Sequence, residues 1–294
     1  MKTSNSDTAS KCLLCNSSEY KVRPGHARDD ENLVPWECCD CGLVRLSSFA
    51  HMVDNFYEDS HMHDSTPYNP EVMEKVANED DVRRFHDFYP IFKGKSLLDF
   101  GCGSGQFLAL AKTTAQQVCG VEPDRSWLDI HKQMGLKVAP TLSGLDTKNN
   151  IDVITMFHVL EHIADPFEAL RGIKNYLAPK TGRLIIEVPS SDDILLTLYE
   201  NQAFSSFTYW SCHLYLYNRS TLSTLLQKAG FRVVDIYHYQ RYPLANHLYW
   251  LAKGKPGGQE RWTELNNHTL TAAYTEVLQR MGKTDTIIGV FQVN

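Results

Sequence analysis

A short apolar run, Ser96-Leu97-Leu98, passes into Asp99-Phe-Gly101-Cys-Gly103-Ser-Gly105-Gln-Phe107. Three glycines at alternate positions allow a sharp turn, because glycine enters the left-handed backbone region without steric cost. The residues that follow, Phe107 to Gln117, favour a helix. A strand, a glycine turn and a helix in this order gather backbone N–H groups around a ligand at the helix N-terminus. The dinucleotide fingerprint does not fit, since Gln106 stands where its third glycine belongs. The spacing is instead D-x-G-x-G-x-G, with the acid two positions ahead of the first glycine.

Further strands follow at regular intervals. Val118 to Val121 is apolar and ends at Glu122, 23 positions after Asp99. An acid at the end of the second strand of such a sheet accepts hydrogen bonds from ribose hydroxyls. Lys137 to Ala139 is a short third strand and Ile151 to Phe157 a fourth. The fourth runs into His158-Val-Leu-Glu161-His162-Ile-Ala-Asp165-Pro166, where Asp165 suits a helix N-cap and Pro166 the first helical position. Gly182 to Pro189 is the fifth strand, Phe231 to Tyr239 the sixth and Thr286 to Val293 the last. Helical stretches fall between them, including Ser220 to Lys228 and Thr263 to Met281. Upstream, Val72, Val76, Val82, Phe85, Phe88 and Tyr89 recur at three and four, which predicts a helix from Glu71 that Pro90 closes before Phe92. Strands alternating with helices give an α/β, doubly wound sheet.

These motifs resemble those of the class I S-adenosylmethionine-dependent methyltransferases over roughly residues 71–294. Asp99, Gly101, Gly103 and Gly105 match the family's first signature, and the block from His158 to Pro166 matches the H-V-L-E-H-x-x-D-P pattern of its ubiquinone-biosynthesis-like branch. The chain is also similar to zinc-ribbon-bearing methyltransferases of sugar and polysaccharide pathways. The resemblance implies a Rossmann-like sheet of seven strands, with the last antiparallel between strands five and six. It implies S-adenosylmethionine as cofactor, with Glu122 on the ribose, Asp99 toward the methionine ammonium, and Gly101, Gly103, Gly105 and His158 around it. The adenine contact comes from about residue 140 in the family, but no residue here matches its usual signature.

Five of eight cysteines precede residue 42. Cys12-Leu-Leu-Cys15 and Cys38-Cys-Asp-Cys41 are two Cys-x-x-Cys pairs separated by 22 residues, a structural zinc pattern. Each pair aims two thiolates at one point, and together they complete a closed tetrahedral shell at about 2.3 Å. Such a site has no open position, so its metal serves folding and not catalysis. Cys39 competes with Cys38 for the shell, although Cys39-Asp-Cys41 is a poorer pair. His61 and His63, near Tyr57, Glu58 and Asp59, are a weaker second metal candidate. The reading that these residues pack over the mouth of the main domain competes with it.

The sequence thus suggests a zinc-binding ribbon-like module at 1–48, a linker and helix at 49–92, and a methyltransferase domain at 93–294. Two insertions interrupt that domain, an aromatic one at 190–218 and a helical one at 241–283. The aromatic insertion carries Phe204, Phe207, Tyr209, Trp210, His213, Tyr215 and Tyr217. Methyl transfer to oxygen needs a base, and histidine titrates in the useful range. His213 leads as that base, ahead of His158 and His162. Glu161 and His162 serve equally well as braces of their turn. Arg241 suits either an anionic substrate group or a structural anchor.

Charge decides among partners. There are 29 Lys and Arg against 35 Asp and Glu, a formal net charge of −6, without the basic stripe that nucleic acid demands. No signal segment opens the chain and no stretch is apolar enough to cross a bilayer, so a cytoplasmic protein is expected. The leading expectation is methyl transfer to a small molecule, a sugar or nucleotide sugar of surface-polysaccharide biosynthesis. An RNA methyltransferase with a zinc-ribbon module and a non-catalytic cofactor-binding zinc scaffold are the alternatives.

Overall fold

A computed structural model describes residues 11–53, 56–58, 70–145 and 150–294, with side chains in the first helix described from Glu79 onward. His61 and His63 lie outside the described residues. The chain divides into two compact units. One comprises Met1–Phe49, Val188–Leu225 and Tyr237–Ile287; the other comprises Ala50–Glu187, Leu226–Ile236 and Ile288–Asn294.

The first unit is built on a four-stranded sheet in the order β1-β2-β3-β9. β1 (Tyr20–Val22), β2 (Pro35–Cys38) and β3 (Val44–Leu46) form the ribbon read from the cysteines. The fourth strand, β9 (Tyr215–Leu216), comes from the aromatic insertion and pairs antiparallel with β3, Val44 opposite Leu216 and Arg45 opposite Tyr215. Val44, Tyr209 and Leu216 make one buried cluster. Arg23 donates to the Ser191 carbonyl and to Glu37. Arg28 lies 4.2 Å from the Trp210 ring, while Ser211 donates to Asp29. Ribbon and insertion therefore share a sheet, a core and an ion–aromatic contact. Helices α5 (Ile194–Thr197), α6 (Gln202–Thr208), α8 (Leu244–Lys253), α9 (Gly258–Arg261) and α10 (His268–Met281) complete the unit, with Ile194, Leu195, Trp250 and Leu278 as a second core cluster.

The second unit carries the seven-stranded sheet, in the order β10-β11-β8-β7-β4-β5-β6. Its strands are β4 (Ser96–Phe100), β5 (Gln117–Val121), β6 (Val138–Ala139), β7 (Val153–Phe157), β8 (Arg183–Pro189), β10 (Phe231–Tyr239) and β11 (Thr286–Val293). β4 pairs in parallel with β5 and β7, and β7 with β8. β11 runs the other way, since its last residues bond to the starts of its neighbours: the Val293 N–H to the Gly182 carbonyl and the Asn294 N–H to that of Gly230. The central strands are buried along almost their whole length, which is why they read as unbroken apolar runs and not as alternation. This is the doubly wound sheet expected from the motifs.

Helices α1 (Pro70–Phe92), α2 (Gln106–Ala111), α3 (Leu128–Gln133) and α4 (Pro166–Lys174) belong to this unit, and α7 (Arg219–Lys228) begins in the first unit and ends in the second. α1 continues through Pro90 to Phe92, where a stop was expected. α2 is shorter than the sequence suggests. Thr113 and Thr114 turn their hydroxyls back onto the Leu110 and Ala111 carbonyls, and such bonds compete with helix continuation. The stretch expected as one helix from Thr263 to Met281 is a short 3-10 turn at Thr263–Leu265 and then α10. Asn267 caps α10 by accepting from the Thr269 and Leu270 N–H groups, a start signal inside the run.

Candidate cofactor cavity and thiol cluster

The glycine turn links β4 to α2 at the carboxyl edge of the sheet, where open α/β folds bind ligands. Gly101 has φ +78 and a side chain there would strike Val159 at 2.5 Å, so only glycine fits beneath the turn that follows β7. Gly103 has φ +49, and a Cβ built on it would meet nothing within 4 Å. That residue faces open space.

The space is a cavity of about 780 Å³ within the second unit. Phe100, Gly101 and Gly103 line it, together with Glu122, Trp127, Pro140 to Leu142, and His158 to Ala164 in part. Glu122 Oε2 accepts the Gly103 N–H at 2.7 Å and Oε1 accepts that of Asp124 at 2.9 Å. The carboxylate is thus oriented by the backbone it adjoins. Asp99 is not among the lining residues; it is buried, its carboxylate accepting from the Thr155 hydroxyl at 2.6 Å. Burial pushes its carboxyl up to about 7, against the pull of that hydrogen bond.

His158 follows β7 with φ +56, a strained conformation for a non-glycine residue. Its N–H donates to the Glu187 carbonyl at 2.8 Å. The ring Nε2 lies 3.2 Å from Glu187 Oε1 and Nδ1 3.4 Å from Glu161 Oε1. Nε2 is thereby hydrogen-bonded to one buried carboxylate, and Nδ1 stands beside a second. Arg83 donates to both oxygens of Glu187, and Arg84 donates to it as well. Burial opposes ionisation of Glu187, but the His158 hydrogen bond and the Arg84 charge hold its carboxyl well below the ordinary range. His162 also lines the cavity; its carbonyl accepts from the Tyr57 hydroxyl at 3.1 Å, and the two rings meet edge to face at 6.0 Å.

Several cavity residues carry no sequence signature. Met52, Val53, Phe56, Tyr57 and Glu58 line it; of the group expected over the mouth, Tyr57 and Glu58 are the described members. Glu58 is tied to Arg125 at 2.5 Å. Trp127 and the stretch Pro140, Thr141 and Leu142 supply another part of the wall. Among the described residues, Glu58, Glu122 and Asp124 are the carboxylates of the lining, which includes no lysine or arginine. An open glycine cradle, an oriented carboxylate and an acidic wall fit a cationic nucleoside such as S-adenosylmethionine.

In the first unit, the thiol sulfurs of Cys12, Cys15, Cys38 and Cys41 all lie within 4.8 Å of one another. Cys12 and Cys41 are 3.5 Å apart, Cys15 and Cys38 3.4 Å. Cys39 is exposed and is not among the four clustered cysteines, whereas Cys38 is. Burial resists ionisation of Cys38, but the backbone N–H groups of Cys41 and Asp40 turned toward its sulfur bring the thiol down to about 7. Four converging thiols are a donor set for a soft or borderline cation. His213 lies in this unit, its N–H bonded to the Trp210 carbonyl at 2.8 Å and its ring 5.5 Å from that of Trp210. Arg241 is there too, its backbone N–H donating to the buried Asp285 carboxylate.

Residues 73–236, more than half of the 294, match the methyltransferase domain family. The chain belongs to that family. Among its relatives, the C-methyltransferase NovU of Streptomyces niveus is 28% identical over 153 residues, covering 49% of this chain and 34% of NovU. A tRNA U34 carboxymethyltransferase of Idiomarina loihiensis is 25% identical over 163 residues, covering 49% and 47%. A ubiquinone biosynthesis O-methyltransferase of Coxiella burnetii is 29% identical over 169 residues, covering 53% and 71%. The matched stretch is thus a third to a half of the first two proteins. A solved structure of an S-adenosylmethionine-dependent methyltransferase from Thermotoga maritima, described as a possible histamine N-methyltransferase, shares the fold at a TM-score of 0.52 and 18% identity, over 84% of this chain and all of that one.

Proposed function

We propose that this protein is an S-adenosylmethionine-dependent methyltransferase acting on a small molecule. The observation that carries the reading is the cavity itself, floored by Gly101 and Gly103 and walled by the oriented Glu122 carboxylate. Bound there, the cofactor would supply an electrophilic methyl group on a sulfonium. Glu122 would accept hydrogen bonds from the ribose hydroxyls, Gly103 would leave room for the nucleoside, and Trp127 and Leu142, on the same lining, would offer it apolar surface. Met52, Val53, Phe56, Tyr57 and Glu58, on the cavity lining, would exclude water from it. Much of the rate comes from holding donor and acceptor in line.

A histidine takes the acceptor proton. With Nε2 bonded to Glu187 and Nδ1 beside Glu161, His158 acts better as a fixed support than as a proton acceptor. His162 lines the cavity and is the base candidate of the second unit; His213 is that of the first. Replacing the true base by asparagine costs about 10²–10⁴ in kcat, and comparing H162N with H213N identifies it.

The acceptor is a sugar or nucleotide sugar of surface-polysaccharide biosynthesis, a reading supported by the resemblance to zinc-ribbon-bearing methyltransferases of those pathways. The acidic lining admits the neutral sugar and leaves any phosphates outside the cavity. Transfer to RNA is the competing reading, favoured by the tRNA-modifying relative and opposed by the same acidic lining. Labelled cofactor offered together with nucleotide sugars and bulk tRNA decides: label in a sugar supports the proposal, label in tRNA or in neither overturns it. Cys12, Cys15, Cys38 and Cys41 would hold a structural zinc ion, and eight unbonded thiols suit a reducing compartment such as the cytoplasm.

A further inference from the structure

The glycine turn has a second support that no motif announces. α3 buries one side chain, and it is a histidine, His131. Its Nε2 lies 2.7 Å from the Gly103 carbonyl oxygen. A carbonyl only accepts, so Nε2 carries the hydrogen and donates it. The other ring nitrogen, Nδ1, is buried with no hydrogen-bond partner among the described residues. A buried polar atom without a partner destabilises a fold, and a leucine at this position would remove that cost while keeping α3 packed. Packing alone therefore favours leucine. What the histidine adds is the bond to Gly103.

Gly103 is held from its other side as well, its N–H donating to Glu122. The three residues form a strut running from the buried face of α3, through the cavity-facing glycine, to the carboxylate on the cavity wall. We infer that His131 is a positioning residue that sets Gly103, and through it Glu122, for the nucleoside portion of the cofactor. The inference rests on the methyltransferase reading above. His131 does not line the cavity; it acts through the backbone it holds.

Two variants test this, each measured by calorimetric affinity for S-adenosylmethionine and by thermal midpoint without cofactor. H131L weakens binding about tenfold, the share of one net hydrogen bond, while its midpoint does not fall. H131Q carries an amide nitrogen at a similar reach and returns the affinity to within about threefold of wild type. A purely structural role would move the midpoint and treat both variants alike. Wild-type affinity in both variants, or an equal loss in both with a lowered midpoint, overturns the strut. Wild-type protein that binds no cofactor overturns the methyltransferase reading itself.

Discussion

Asp99 sits two residues before Gly101, fully enclosed, with one hydroxyl for company. Its raised carboxyl holds a proton to higher pH in the native state than in the unfolded chain, where it titrates near 3.9. The folded state therefore binds more protons across that window, and stability falls as pH rises from about 4 through about 7. Between about pH 5 and pH 8 the loss is on the order of 2–3 kcal/mol, and urea unfolding of D99N should show a smaller one. Glu187 works in the opposite sense: its depressed carboxyl contributes stability above the ordinary carboxylate range, lost only as pH falls toward its native value. Glu122, on the cavity wall, is proposed above to hold the ribose. E122A should weaken the cofactor by about 10- to 100-fold, since a charged hydrogen-bond acceptor is removed, and a calorimetric titration showing unchanged affinity would overturn the ribose assignment.

Among elements, the thiol cluster and the insertion stand together. β3 and β9 share two residue pairs, the Leu46 N–H bonds to the Leu214 carbonyl and Arg28 stacks on Trp210. Removing the proposed zinc from the four thiols, by chelation or by C38S, should speed amide exchange at Leu46 and Leu216 and shift Trp210 fluorescence; unchanged exchange at Leu216 would show the two to be independent. That joint sheet was not legible in the sequence. A two-residue strand such as β9 has too few positions to show alternation, and its partner lies in a distant segment. Two long strands were legible for different reasons: Thr286–Val293 is buried almost throughout and reads as a nearly apolar run, whereas Phe231–Tyr239, buried only at Phe231 and Ile236, reads from its β-branched and aromatic residues after Gly230; both have the expected ends. The convergence of Cys12, Cys15, Cys38 and Cys41 and the meeting of the glycine turn with Glu122 were readable as geometry from the spacing of those residues. Tyr57, Trp127 and His131 were not, because cavity walls and struts need only shape or one well-placed atom.

At the scale of the whole molecule, neither unit is continuous in sequence. The first draws its ribbon from the start of the chain and its fourth strand from the insertion, so the two cannot be separated without loss. Deleting residues 1–49 should expose Tyr209 and Leu216, which pack on Val44, and yield an aggregating product in size-exclusion chromatography; a monodisperse, cofactor-binding product would contradict this. The formal charge of −6 predicts that the intact protein passes through heparin at low salt, and strong retention would favour the RNA reading. The order of strands β1-β2-β3-β9 also has a consequence during synthesis. Tyr215 and Leu216 leave the ribosome long after Val44 to Leu46, so the nascent ribbon presents a bare β-edge to its surroundings for most of translation. Early capture of a metal by its thiols would keep that edge in register until the late strand arrives to cover it.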